Sequence, residues 1–111
     1  MISNIGADIE SINELKRSIK NKNFVNMIFS KREIDYCLSK KEPVLSFAGK
    51  FSAKESVIKA LKQKIAIKDI EIINSPAGKP EVYIKGKKNK KILCTISHNQ
   101  DYALAFVVIN N

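Results

Sequence analysis

Two carboxylates carry the strongest chemical claim in this sequence. Asp8 closes the segment Gly6-Ala7-Asp8, and Glu55 stands in Phe51-Ser52-Ala53-Lys54-Glu55, one helical turn before Lys59. Each has an ordinary reading on its own. A strand-end Asp8 can cap the helix that follows, Glu55 and Lys59 can form an i,i+4 surface pair, and Lys54 can lay its stem along apolar surface with its ammonium in water. Brought together in space, Asp8 and Glu55 would instead form a hard oxygen site suited to Mg²⁺. Such sites take one or two carboxylates and leave the remaining positions to phosphates and water. His98, the only histidine, and Lys79 in Gly78-Lys79-Pro80 complete the set of candidates. Their plain alternatives are a hydrogen-bonded structural imidazole and a turn lysine.

The elements that must position these groups follow from periodicity. Residues 2–9 alternate, with Ile5, Ala7 and Ile9 on one face and Asp8 on the other, which predicts a strand. Residues 11–21 place Ile12, Leu15 and Ile19 at helical spacing. Ser30 and Glu33 have the spacing of a capping box that opens a helix through Leu38. Pro43 suits the first turn of the longest helix, expected over about residues 43–63. On that helix Phe47, Phe51, Ile58 and Leu61 form an apolar arc with Lys54 in its middle, and Gly49, Ser52, Ala53, Ser56 and Ala60 form a face of small side chains that another element or subunit can approach closely. Strands are expected at 69–74, 81–85, 92–97 and 102–109, with turns at 75–80 and 86–91. Helices first and antiparallel strands later predict an α+β fold, a long helix packed on an antiparallel sheet, in one domain spanning 1–111.

The chain has 111 residues, 20 Lys plus Arg against 11 Asp plus Glu, and a formal charge of +9. That field favours anionic partners: nucleic acid, phosphorylated ligands, acidic proteins or anionic membranes. No RRM, KH or helix-turn-helix pattern supports a nucleic-acid-binding module, and no apolar run approaches a membrane span. Cys37 and Cys94 form no metal-binding or disulfide pattern, and Met1–Asn4 has no basic region leading into an apolar core. A cytoplasmic protein is therefore expected.

The ordered set of motifs resembles the holo-acyl-carrier-protein synthases, the small phosphopantetheinyl transferases. The matching blocks are Gly6-Ala7-Asp8-Ile9, Phe24…Ile28-Phe29-Ser30-Lys31-Arg32-Glu33, Phe51-Ser52-Ala53-Lys54-Glu55-Ser56-Val57-Ile58-Lys59-Ala60, Gly78-Lys79-Pro80, and Ile96-Ser97-His98 with Tyr102-Ala103-Leu104-Ala105-Phe106-Val107-Val108. The resemblance implies the 4′-phosphopantetheinyl transferase fold and transfer of the phosphopantetheine arm of coenzyme A to a carrier-protein serine. It implies Mg²⁺ on Asp8 and Glu55, with Lys59 stabilising phosphoryl charge. It implies coenzyme A contacts from Lys50, Lys54, Lys79, Pro80 and His98, with Lys50 and His98 at the 3′-phosphate end. It also implies an acidic acyl carrier protein as partner and a homotrimer with sites between subunits.

Three departures accompany the resemblance. Glu14 and Met27 stand where the family commonly has Arg, so carrier docking shifts toward Lys16, Arg17 and Lys20. Lys62-Gln63-Lys64 replaces a Gly-Thr-Gly-like loop. These changes favour the alternative of a homologue that binds coenzyme A or a carrier without transfer. The intact Asp8, Glu55 and Lys59 favour catalysis.

Overall fold

The computed structural model describes residues 1–111. β1 (Ile2–Ser11) leads into α1 (Ile12–Ser18), α2 (Lys22–Ile28), α3 (Lys31–Leu38) and the long α4 (Pro43–Ala60). A short 3₁₀ turn (Ile67–Asp69) precedes β2 (Ile70–Asn74), β3 (Pro80–Ile84), β4 (Lys87–Lys88), β5 (Ile92–His98) and β6 (Tyr102–Asn110). Both sheets are antiparallel and three-stranded, ordered β1-β6-β5 and β2-β3-β4, so the expected α+β class holds.

Local chemistry sets the helix ends. Ser11 Oγ accepts from Glu14 N at 3.2 Å and starts α1. Asn21 Oδ1 accepts from Asn23 N and Phe24 N and starts α2, a separate helix that the apolar spacing of 11–21 did not reveal. The capping box forms as expected: Ser30 Oγ accepts from Glu33 N, and Glu33 Oε1 accepts from Ser30 N at 2.9 Å. α4 ends at Ala60, three residues before the expected end, because Leu61 turns extended and packs its side chain against the core between α4 and the sheets.

The small-residue face of α4 meets the chain's own sheet, so of the two expected neighbours, another element or a subunit, it is the element that approaches closely. A Cβ on Gly6 would lie 2.1 Å from the backbone oxygen of Ser56, so only glycine lets β1 and α4 come this close. Ser52 Oγ donates to Asp8 O at 2.8 Å, and Ser56 Oγ donates to Ser52 O at 2.8 Å and Ala105 O at 3.2 Å. Ala53, Val57 and Ala60 are buried with Ile70, Ile72, Val82, Ala105 and Val107.

The opposite face of α4 carries a buried ion pair. Lys54 Nζ lies 2.6 Å from Glu33 Oε1, and both side chains are 0% exposed. Glu33 Oε2 accepts from Ile72 N at 2.8 Å, while Lys54 donates to Ile28 O at 2.6 Å and to Ile67 O at 3.4 Å. The capping glutamate thus joins α3, α4 and β2. An enclosed charge left without its partner is strongly destabilising. We expect Glu33→Ala to lower the unfolding free energy by about 3–5 kcal/mol, read as a reduced urea midpoint. A loss below about 1 kcal/mol, the scale of an exposed pair, would contradict this role.

Candidate active site

β1 delivers three groups to the flank of α4. The strand alternates, so Gly6, Asp8 and Glu10 face the helix, while Ile5, Ala7 and Ile9 face away from it. The Gly6 contact brings this edge of the sheet against the turn that carries Glu55 and Lys59. Lys59 Nζ donates to Ala7 O at 3.0 Å and lies 3.2 Å from Asp8 Oδ1. The Asp8 side chain is only 11% exposed, and its Oδ2 is enclosed with no hydrogen-bond partner.

The electrostatics are those of crowded carboxylates. Partial burial and the charge of Asp8 raise the Glu55 carboxyl, and Lys59 opposes that rise. Glu10 is pushed up to about 8 by burial, then by the adjoining Asp8 carboxylate and the charges of Glu55 and Glu14. Glu10 was missed in the sequence reading. Its signal is the two-residue strand period, which puts it on the same face as Asp8.

No group of three or more His, Cys, Asp or Glu side chains gathers into a self-sufficient metal site. Asp8 and Glu55 nevertheless fit a hard divalent cation that takes the rest of its ligands from phosphate and water. The enclosed Asp8 Oδ2 without a donor is the atom such a cation would satisfy.

A second concavity lies on the other flank of α4. Its volume is about 260 Å³, and Tyr36, Ser46, Lys50, Asn74, Pro80 and His98 contribute to its walls. Lys50 is nearly enclosed; its Nζ donates to Asn74 Oδ1 at 2.7 Å and lies 4.4 Å from the centre of the Tyr36 ring. Desolvation pulls the Lys50 ammonium below the usual lysine range. His98 pairs with Ala103, which pairs with Glu10, so the histidine and Glu10 share one row of the sheet, two strands apart, while Asp8 lies in the Ala105–Ile96 row beside it. That separation is about 10 Å between backbones.

Two expected ligand contacts are not brought to this cavity. Lys54 is sealed in the Glu33 pair and reaches no open surface, which corrects its assignment to coenzyme A. Lys79 lines a neighbouring cleft of about 190 Å³ with Lys88 and Lys90, while Pro80 borders both concavities. Asn74 and Tyr36, absent from the sequence reading, stand in the cavity wall; no local pattern marks them, because β2 and α3 meet only through folding. No helix is long and apolar enough to cross a membrane.

The 4′-phosphopantetheinyl transferase superfamily model matches residues 4–107. The holo-acyl-carrier-protein synthase of Thermodesulfovibrio yellowstonii is 42% identical, covering 98% of this chain and 99% of its own. That of Borrelia turicatae is 39% identical over 100% of both. Among solved structures, the Neisseria meningitidis holo-acyl-carrier-protein synthase superposes with a TM-score of 0.87 at 28% identity, covering 100% of both chains. The Helicobacter pylori enzyme in complex with coenzyme A superposes with a TM-score of 0.80 at 28% identity, covering 96% of this chain and 99% of its own.

The Glu10 environment generates a pH signature. A carboxyl whose pKa is raised on folding contributes stability that is fully present below its unfolded value, near 4.5, and is lost as pH rises through about 8. In the presence of a chelator, Glu10→Gln should therefore match the wild type near pH 4.5 and exceed it in stability above pH 8. Thermal melting across that range checks this, and parallel curves would refute it.

Proposed function

This chain belongs to the 4′-phosphopantetheinyl transferase superfamily, and we propose that it acts as a holo-acyl-carrier-protein synthase. In this reading it moves the 4′-phosphopantetheine arm of coenzyme A to a serine of an apo acyl carrier protein and releases 3′,5′-ADP. The supporting observation is Asp8 held 3.2 Å from Lys59, with an enclosed carboxylate oxygen that has no hydrogen-bond partner and with Glu55 near enough for the Asp8 charge to raise its carboxyl.

The serine oxygen forms a bond to the β-phosphorus of coenzyme A as the bridging bond to the α-phosphate oxygen breaks, and 3′,5′-ADP departs with the bonding pair. Asp8 and Glu55 would hold Mg²⁺, which when bound supplies positive charge against the phosphoryl and leaving oxygens. Glu55, half-buried with its carboxyl raised, suits the uptake of the serine proton through a water. Lys59 is a fixed cation near the same oxygens. Lys50 and His98, in the cavity across α4, suit the 3′-phosphate end of coenzyme A. Lys in place of Arg keeps the charge there without the bidentate fork.

The assembly we propose is a homotrimer with sites between subunits. The outer face of the β1-β6-β5 sheet exposes Ile5 and Ile9 at 61% each, with Leu93, Tyr102, Leu104 and Phe106 beside them. An exposed apolar face of this kind favours association. The carboxylates and the Lys50–His98 cavity open on opposite flanks of α4, so a second copy is the natural source of the complementary half-site. The carrier is acidic in this reading and docks on exposed Lys16, Arg17 and Lys20 of the first helical segment. Its approach should weaken as salt rises. The two unpaired cysteines suit a reducing cytoplasm.

Incubation with coenzyme A, Mg²⁺ and an apo carrier protein should add the mass of the phosphopantetheine arm to the carrier. Asp8→Ala and Glu55→Ala should each abolish the transfer while keeping the fold. Near-normal turnover of either variant at limiting Mg²⁺ would remove its ligand role. Light scattering should give a trimer that Phe106→Asp dissociates with loss of activity; a fully active monomer would refute the assembly.

A further inference from the structure

A lysine that serves an anion must keep its positive charge and hold its ammonium in place. The Lys50 ammonium has three donors and no acceptor. One hydrogen bond goes to Ile72 O and one, 2.7 Å long, to Asn74 Oδ1, while the Tyr36 ring lies against the charge. Both oxygen acceptors are neutral, so the charge remains available to a ligand in the cavity.

Asn74 works in a second direction. Its Nδ2 donates to Gly78 O at 3.2 Å. The turn from Ser75 to Lys79 is closed by Ser75 N to Lys79 O and by Gly78 N to Ser75 O, each 2.8 Å. Gly78, at φ +89°, turns the chain toward Pro80, which pairs with Asn74 at the start of β3. Lys50, Asn74, Gly78, Pro80 and His98 all border the same cavity. One amide therefore spans from the ammonium on one wall to the turn that forms another.

We infer that Asn74 is a positioning residue for the anion-binding end of this cavity, holding Lys50 Nζ with its oxygen and the Gly78–Pro80 turn with its nitrogen. The inference rests on the reading of the cavity as the 3′-phosphate site of coenzyme A. Aspartate at this position has nearly the same shape but reverses both effects. It neutralises Lys50 and presents no donor to Gly78 O.

The test compares coenzyme A with 3′-dephospho-coenzyme A for the wild type, Asn74→Asp and Asn74→Ala, with calorimetric binding of 3′,5′-ADP as a readout independent of transfer. Loss of a charge-assisted contact corresponds to about tenfold or more in affinity. Asn74→Asp should raise the KM for coenzyme A and the Kd for 3′,5′-ADP by about that factor. It should leave kcat and the KM for the dephospho substrate nearly unchanged. Asn74→Ala should shift the same two quantities less, because Lys50 then keeps its charge. Equal changes for both substrates, a change in kcat alone, or no change in either variant would overturn the inference. Failure of both variants to fold would also overturn it, by making Asn74 a stability residue. Wild-type protein that binds 3′,5′-ADP but transfers nothing would overturn the proposed function and leave this inference standing. Wild-type protein that does not bind 3′,5′-ADP would overturn the inference itself.

Discussion

The Lys54–Glu33 pair sets the rotation of α4, and the rest of the molecule follows from that rotation. An ammonium in this apolar interior is tolerable only against its carboxylate and the two carbonyls that accept from it. Once Lys54 is aimed at Glu33, the helical repeat fixes its neighbours. Glu55, one residue on, turns toward β1. Lys50, one turn earlier, turns toward β2 and the cavity. A buried charge pair thereby aims Glu55 and Lys50 in different directions.

The sheet side of α4 is fixed by steric closeness. Gly6 admits the Ser56 carbonyl, and the hydroxyls of Ser52 and Ser56 satisfy strand carbonyls that the helix would otherwise cover. The same close approach half-buries Asp8, Glu10 and Glu55 beside one another. Desolvation and mutual repulsion then raise Glu10 and Glu55. Their raised carboxyls are a consequence of tight packing.

One helix thus borders the carboxylate cluster on one flank and the Lys50–His98 cavity on the other. The β1-β6-β5 sheet buries the face it presents to α4 and leaves its other face apolar and uncovered. A monomer of 111 residues has little further core with which to cover that face. Association through it, as in the proposed assembly, would cover that apolar face.

The sequence alone determined the α+β class, the N-terminal strand, the capping box, the long helix and the motifs that bring Asp8, Glu55 and Lys59 into consideration. These are legible because capping and periodicity act over a few residues, and because the motifs keep their order along the chain. Other features arose only in three dimensions. The small-residue face of α4 meets the chain's own strand, and the apolar face of β1 looks outward, because alternation marks two faces without saying which one is buried. Lys54 proved structural because its partner lies 21 positions earlier in the chain. Glu10 was visible only as an alternation partner of Asp8, and its shift required α4 to press against it. Asn74 had no signal at all, since its part depends on Lys50 and Gly78 meeting across separate elements. Long-range packing, which no local pattern encodes, decided which charged groups face a ligand and which hold the fold.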